Sequence, residues 1–366
     1  MDPRRRRFLG VSGAALAGGA LAGTGLAQGR PVRAQRPTKA AVPVPAAPAP
    51  PLKAPRLRPG DTVGLISPAG ATFQTQDIEI VTEVLAAFGL KARPAANLMK
   101  RYGYLGGRDE ERAADVNAMF ADPEVKGVFA VRGGWGCARL LPHLDYELIR
   151  RNPKPLIGYS DVTALHLGIH ARTGLVSFHA PTALATWPPF SADHLRRVLF
   201  DGEAVLMQNP TEPGEGLVAM EDRVRTITRG IARGRLLGGN LTVLTALVGT
   251  PYLPSWDGAI LFLEDTNEEI YRVDRMLTQL ALAGILARLA GVVFGKCTRC
   301  DPGDGSYGSL TLEEVLNDHV KSLGVPSWEG AMIGHVKKQW TVPVGLEVEI
   351  DAGLGTIRML EPAARA

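Results

Sequence analysis

The sequence predicts an α/β protein: an amino-terminal domain with a mostly parallel sheet, joined to a carboxyl-terminal α+β domain. Three observations carry this. Between residues 57 and 205 short apolar runs alternate with segments of helical period. Loops containing Gly or Pro follow those runs, as they do at the carboxyl ends of parallel strands. After residue 222 the texture changes: Val224–Leu237 and Val342–Met359 are rich in Val, Ile and Thr with near-alternating polarity, the pattern of half-exposed antiparallel strands.

Taken in order, the chain opens with Arg4-Arg5-Arg6-Arg7, then Phe8-Leu9 and a weakly apolar Ala/Gly run from Val11 to Ala27. A charged start, a short apolar stretch and small residues before a cut site describe an export signal. Adjacent arginines followed by x-Phe-Leu point to the twin-arginine translocase as its route, and so to a periplasmic protein. The cut falls after Ala27 or Ala34, so residues 1–34 are assigned to the signal. The run is short and diluted with Gly, a poor membrane span, and no later stretch is long and apolar enough for stable membrane insertion. Residues 35–56 are rich in Pro, Ala and Lys, which predicts an extended linker, with folding beginning near Leu57.

Asp61–Ser67 (DTVGLIS) reads as a buried strand, Ile78–Phe88 as a helix stopped by Gly89, and Glu110–Phe120 as a second helix. Gly127–Val131 is a strand entering Arg132-Gly133-Gly134-Trp135-Gly136, and Pro155–Tyr159 is a strand followed by a helix over Asp161–Ala171. An interdomain linker is placed at 206–222, where Asn209-Pro210-Thr211-Glu212-Pro213-Gly214 breaks the pattern, leaving domains at 57–205 and 223–362. The second domain adds a strand Ala259–Glu264, a helix Glu269–Ala283, a strand Gly291–Cys297 and a helix Leu310–Leu323.

The 366 residues are 45% hydrophobic and 21% charged, the balance of a folded soluble protein. The net charge of +4 does not mark a nucleic-acid binder: residues 1–27 hold four Arg and one Asp, leaving about +1 for the rest. No basic stripe interleaved with aromatics follows.

Three cysteines are too few for a disulfide scaffold. Cys297-Thr-Arg-Cys300 has CxxC spacing but no second pair to complete a zinc site. It is either a disulfide of an oxidising compartment or two incidental thiols.

Ser160 lies where a strand passes into a helix, within Gly158-Tyr159-Ser160-Asp161. A serine on such a turn exposes its hydroxyl, and the helix start offers N–H groups to an oxyanion. Taken alone, Ser-Asp at that place more often caps a helix. Seven histidines are available as bases. His166 and His170 read as helix-face residues and not as metal ligands. His179 ends the run Val176–Phe178 and is a candidate to line a site. His335 precedes a polar loop, where a lone histidine is by default a surface residue. Glu264 ends an apolar run, and a buried acid there could orient a histidine; capping the next helix is the alternative, and Asp265 serves that equally well. The loop Gly133-Gly134-Trp135-Gly136 lacks the spacing of a phosphate loop. Cys137 beside it is a second candidate nucleophile. No cofactor or metal is predicted.

Several longer segments together resemble the bacterial LD-carboxypeptidases, the serine peptidase family that also contains the microcin C self-immunity peptidases. They are LRPGDTVGLISPAG from Leu57, RDEERAADVNAMFADPEV from Arg108, AVRGGWGCARLL from Ala130 and IGYSDVTALH from Ile157. GRLLGGNLTVLTALVGTPYLP from Gly234, LFLEDTNEEIYRVDRMLTQL from Leu261 and IGHVKKQWTVPVG from Ile333 continue the match to about residue 360.

The resemblance implies that Ser160 is the nucleophile, His335 the base and Glu264 the acid, with oxyanion-binding amides from Gly134 and Asp161. Trp135 and His179 are expected to line the substrate. It further implies a small β-barrel in the second domain, a homodimer, and hydrolysis of the L,D bond to the terminal D-alanine of peptidoglycan-derived peptides. The export signal departs from the cytoplasmic members of the family. The competing readings are a hydrolase of microcin-like acyl-nucleotide peptides and a non-catalytic periplasmic muropeptide-binding protein.

Overall fold

The first half forms strands β1 (Thr62–Ile66), β2 (Lys91–Pro94), β3 (Val125–Ala130), β4 (Leu156–Gly158) and β5 (Ser177–His179), mostly buried except for the polar edge strand β2. Helices α1 (Thr75–Ala87), α2 (Asp109–Ala121), α3 (Tyr146–Arg151) and α4 (Thr163–Thr173) connect them, and α5 (Pro189–Arg196) follows. The later strands are β6 (Leu206–Gln208), β7 (Arg225–Thr228), β8 (Ile231–Asn240), β9 (Ile260–Thr266), β10 (Gly291–Thr298), β11 (Ser327–Glu329), β12 (Val342–Val344), β13 (Glu347–Asp351) and β14 (Thr356–Met359). Helices α6 (Leu241–Ala246), α7 (Ile270–Leu282) and α8 (Leu312–His319) lie among them. This computed structural model describes residues 50–211, 217–218, 221–303 and 308–366, so the export signal falls outside the described residues.

Among the described residues there are two sheets. The first has the order β12-β5-β4-β3-β1-β2, parallel except for β12. Its order reverses between β1 and β3, and ligands of open α/β sheets bind outside the carboxyl ends of strands at such a point. The loops that leave β1 and β3 touch there, Gly70 N donating to Gly133 O at 3.2 Å.

The second sheet runs β6-β14-β13-β8-β9-β10-β11-β7. Its centre, β8 to β11, is parallel, whereas β13, β14, β6 and β7 join antiparallel. Of the antiparallel pairing expected for residues 224–237, β7 has it with β11 and β8 has it with β13, while the other edge of β8 pairs in parallel with β9. Covered on both faces, β9 reads as a continuous apolar run, and Ile260, Leu261, Phe262 and Leu263 are all 0% exposed. Each such side chain contributes on the order of 1.5–3 kcal/mol through burial. The sheet order is open, with β6 and β7 at its two ends, and among the described residues the small β-barrel expected of the second domain does not close.

Three expectations shift. Residues 50–56 are not linker: Leu52 N donates to Gly174 O and Val176 N to Leu52 O, and Arg56 N bonds to Arg365 O, fastening this segment to the body. The predicted connector 206–222 begins with β6, which pairs with β14. The predicted strand pattern over 342–359 is divided between sheets. Pro343 has no N–H, so β12 serves as an edge strand against β5. Gly345, at φ 96°, then turns the chain to β13 in the other sheet. Residues 330–341 therefore cross from β11 in the second sheet to β12 in the first, and His335 lies on that crossing.

Candidate active site

Ser160 follows β4 directly and has φ 63°, a left-handed conformation for a non-glycine residue. Such strain persists only where the surroundings enforce it. His166 supplies part of that enforcement from α4: its ring nitrogens meet Gly158 O at 2.9 Å and Ser177 Oγ at 2.8 Å, fixing the ends of β4 and β5. With both nitrogens used this way, His166 does not form a metal pair with His170, whose Nδ1 bonds to Leu175 O at 3.0 Å. Burial pushes both imidazoles down to about 4, so both are neutral near pH 7.

His335 bridges the two sheets chemically. Its Nε2 lies 3.1 Å from Ser160 Oγ, and its Nδ1 lies 2.8 Å from Glu264 Oε2. A carboxylate can only accept, so Nδ1 carries the proton and Nε2 is left to accept from the serine hydroxyl. Glu264 is 0% exposed, whereas the His335 side chain keeps 19% of its surface open. The preceding Gly334 is required: at φ 95° a side chain would be strained, and a Cβ would overlap the Glu264 carboxylate.

Asn240, at the end of β8, completes the support and was not singled out from sequence. Its Nδ2 donates to Glu264 Oε1 at 3.2 Å and to Asp265 Oδ1 at 3.0 Å, and its Oδ1 caps α6 by accepting from Val243 N at 3.1 Å. Its own N–H donates to Thr163 Oγ1 at 3.0 Å, tying the start of α4 to the second sheet. The Asn sits just before the apolar run Leu241–Leu244, a helix-start signal that was there to be read. Asp265 accepts from Thr242 and Thr266 as well, and burial raises its pKa to about 6.

Gly133 packs on the serine, where a Cβ would lie 3.1 Å from Ser160 Cβ. Among the described residues the Gly134 N–H has no acceptor, and the Asp161 N–H lies in the first turn of a helical segment, where amides lack intrahelical partners. The Asp161 side chain is buried and accepts from Cys137 N at 2.8 Å, joining the glycine loop to the turn that carries Ser160. Cys137 itself is 0% exposed, and burial followed by the neighbouring Asp161 pushes its thiol well above the usual range. A buried, protonated thiol is no nucleophile, which removes that candidate.

The two predicted lining residues part ways. Trp135 is 69% exposed and packs edge-on to Tyr104, with ring centroids 6.1 Å apart at the mouth of the loops. His179 is 1% exposed and lies beneath Tyr159, whose ring separates it from the surface site. Burial at the end of β5 thus sets His179 in the core behind Tyr159, which the position after a short apolar run does not reveal. Cys297 and Cys300 form a disulfide at the end of β10. Thr298 between them donates through Oγ1 to His335 O at 3.0 Å.

A serine, a histidine and a buried carboxylate in one hydrogen-bonded line is the arrangement of serine-type acyl-transfer hydrolases. Sequence models of the LD-carboxypeptidase amino-terminal and carboxyl-terminal domains match residues 63–180 and 233–350, and the chain belongs to the LD-carboxypeptidase family. It is 36% identical over 300 residues to the probable murein peptide carboxypeptidase of Bacillus subtilis, covering 81% of this chain and 90% of that one. It is 31% identical over 291 residues to the murein tetrapeptide carboxypeptidase of Pseudomonas aeruginosa, covering 77% and 91%. The solved structure of MccF, the Escherichia coli microcin C7 self-immunity protein, in complex with glutamyl sulfamoyl guanosine superposes with a TM-score of 0.77. That match has 28% identity and covers 86% of this chain and 100% of the other.

Proposed function

We propose that this chain is a serine LD-carboxypeptidase that hydrolyses the L,D bond to the terminal D-alanine of murein tetrapeptides, leaving tripeptides. The observation that carries the reading is His335 placed between Ser160 Oγ and the buried Glu264. In this mechanism His335 Nε2 takes the Ser160 proton as Oγ attacks the peptide carbonyl, and Glu264 stabilises the resulting imidazolium. The amides of Gly134 and Asp161 receive the oxyanion. His335 returns the proton to the nitrogen of departing D-alanine. Water, deprotonated by the same imidazole, then hydrolyses the acyl-serine and restores the hydroxyl.

Hydrolysis of an acyl-sulfamoyl or acyl-adenylate peptide is the second reading, and the MccF superposition favours it. Identity to the probable murein peptide carboxypeptidase is higher, 36% against 29% for MccF, and we take the murein reading first. The deciding experiment compares kcat/KM for murein tetrapeptide with that for aspartyl sulfamoyl adenosine. The account expects the tetrapeptide to be preferred by at least about 100-fold, a difference near 3 kcal/mol. The reverse preference favours the second reading, and saturable binding of tetrapeptide with no turnover favours a binding protein.

In the same reading the enzyme is exported by the twin-arginine route, acts in the periplasm on peptidoglycan-derived peptides, and forms a homodimer. Among the described residues no helix is long and apolar enough to cross a membrane. Cell fractionation of a strain in which Arg5 and Arg6 are both replaced by Lys tests the route, with loss of periplasmic protein expected.

A further inference from the structure

A carboxypeptidase differs from other serine peptidases in that a free carboxylate lies one residue beyond the scissile bond. Bond lengths and a hydrogen bond put the group that binds it within about 8 Å of the attacked carbon. It must therefore stand on one of the loops around Ser160. Resting on the proposed peptidase reading, we infer that the Arg132 guanidinium is the subsite for the terminal carboxylate of the substrate.

Arg132 follows β3 at the point where the first sheet reverses its order, beside Val131, whose N–H bonds to Ile66 O. It directly precedes Gly133, which packs on Ser160, and Gly134, whose amide faces no protein acceptor among the described residues. The side chain turns over the neighbouring loop: Nη1 donates to Ala71 O at 3.2 Å, and a Cβ on Gly70 would lie 3.9 Å from Nε. That same Cβ would lie 3.8 Å from Gly134 Cα, so the guanidinium borders the glycine loop.

The charge on Arg132 is uncompensated. It is half-buried, yet no carboxylate pairs with it among the described residues, and a single carbonyl accounts for one of its five N–H donors. The neighbouring cations are otherwise engaged. Arg112 is spent on Asp109 and on the carbonyls of Pro68 and Gly136, and Arg139 on Asp109. Lys296 and Lys338 both reach Asp222, at 3.5 and 3.4 Å. Lys337, next along the His335 loop, is exposed and offers a hydrated point charge. Arg132 instead presents a planar fork, held by Ala71, that matches a carboxylate with two parallel hydrogen bonds.

The test uses the full chain and two substrates: murein tetrapeptide with a free terminal carboxylate, and the same peptide ending in a carboxamide. The wild-type protein is expected to prefer the free acid by about tenfold or more, the size of a charge-assisted bidentate contact. Arg132→Gln is expected to erase that preference by raising KM for the acid while leaving the amide nearly unaffected. Arg132→Lys is expected to restore part of it. Equal losses on both substrates would overturn the inference, because they would show that Arg132 only braces the Ala71 loop. So would a preference that survives in Arg132→Gln, or one abolished instead by Lys337→Gln. If the wild-type protein cleaves neither peptide, the peptidase reading fails and the subsite falls with it.

Discussion

Glu264, with no surface open to solvent, holds its Oε2 2.8 Å from Nδ1 of His335. The same imidazole reaches Ser160 from a segment that crosses between the two sheets. The acid is thus part of the folded interior, while the base keeps part of its surface open to solvent. Replacing Glu264 by Gln keeps the shape but removes the charge that favours the imidazolium. The expected result is a fall in kcat of roughly 10³–10⁴, with a much smaller change in KM. A fall of less than tenfold in steady-state kinetics would show that the carboxylate does not support the reaction.

Gly334 is a second point of control, since any side chain there is driven into Glu264. Gly334→Ala is expected to destabilise the fold by at least about 1 kcal/mol through backbone strain. Displacing the carboxylate should also lower kcat by more than tenfold. Denaturant unfolding and kinetics on the same preparation measure both, and a variant with wild-type activity would contradict the role given to this glycine.

Buried imidazoles set the response to acid. His166, His170 and His194 each have a folded pKa of about 4, pushed down by burial from 6.5. Above pH 6.5 they are neutral folded or unfolded, and the stability is fully present. Below it the unfolded chain binds protons that the folded chain refuses, so stability falls as pH drops from 6.5 to 4. Each contributes on the order of 3 kcal/mol across that interval. Asp265, raised to about 6, acts in the opposite sense below pH 6, as do Asp115 and Asp161, both raised by burial, while the buried His179, pushed well down, adds a fourth imidazole to the loss. Urea unfolding at pH 7 and pH 4.5 is expected to show a clear loss at the lower pH, and a flat profile would contradict the assignment.

The thiol of Cys137 is sealed in the core, so it stands outside the chemistry. Iodoacetamide on the native protein is expected to leave activity unchanged. Cys137→Ala is expected to cost about 1 kcal/mol of stability or somewhat more, with the rate on tetrapeptide kept within a few-fold. Rapid inactivation by the reagent would return this cysteine to the list of nucleophiles.

Ser160 and Glu264 were legible as candidates from local pattern, although Ser-Asp read alone is a helix cap and the family resemblance made Ser160 the nucleophile. Ser160 and Glu264 each follow a short apolar run, and such runs end where a parallel sheet delivers its functional groups. His335 was different: its spacing marked only a loop residue, and the family resemblance alone set it beside Ser160. Its position depends on residues 330–341 passing from one sheet to the other, a pairing of distant segments that no local period encodes. The pairing of the three-residue β12 with β5 was hidden for the same reason, as was the tie from Asn240 to Thr163 across 77 residues. The fastening of residues 50–56 was hidden because Pro-rich composition describes an unpaired chain well and says nothing about backbone bonds to Gly174 and Arg365.

The central claim is that Ser160, activated by His335, cleaves the terminal D-amino acid from a murein peptide. Its most direct test is D-alanine release from purified murein tetrapeptide by the wild-type protein and by Ser160→Ala, followed by mass spectrometry of the tripeptide. The account predicts release by the wild type and a loss of at least about 10⁴-fold in the variant. Release by Ser160→Ala at the wild-type rate, or no release by either protein, would contradict it.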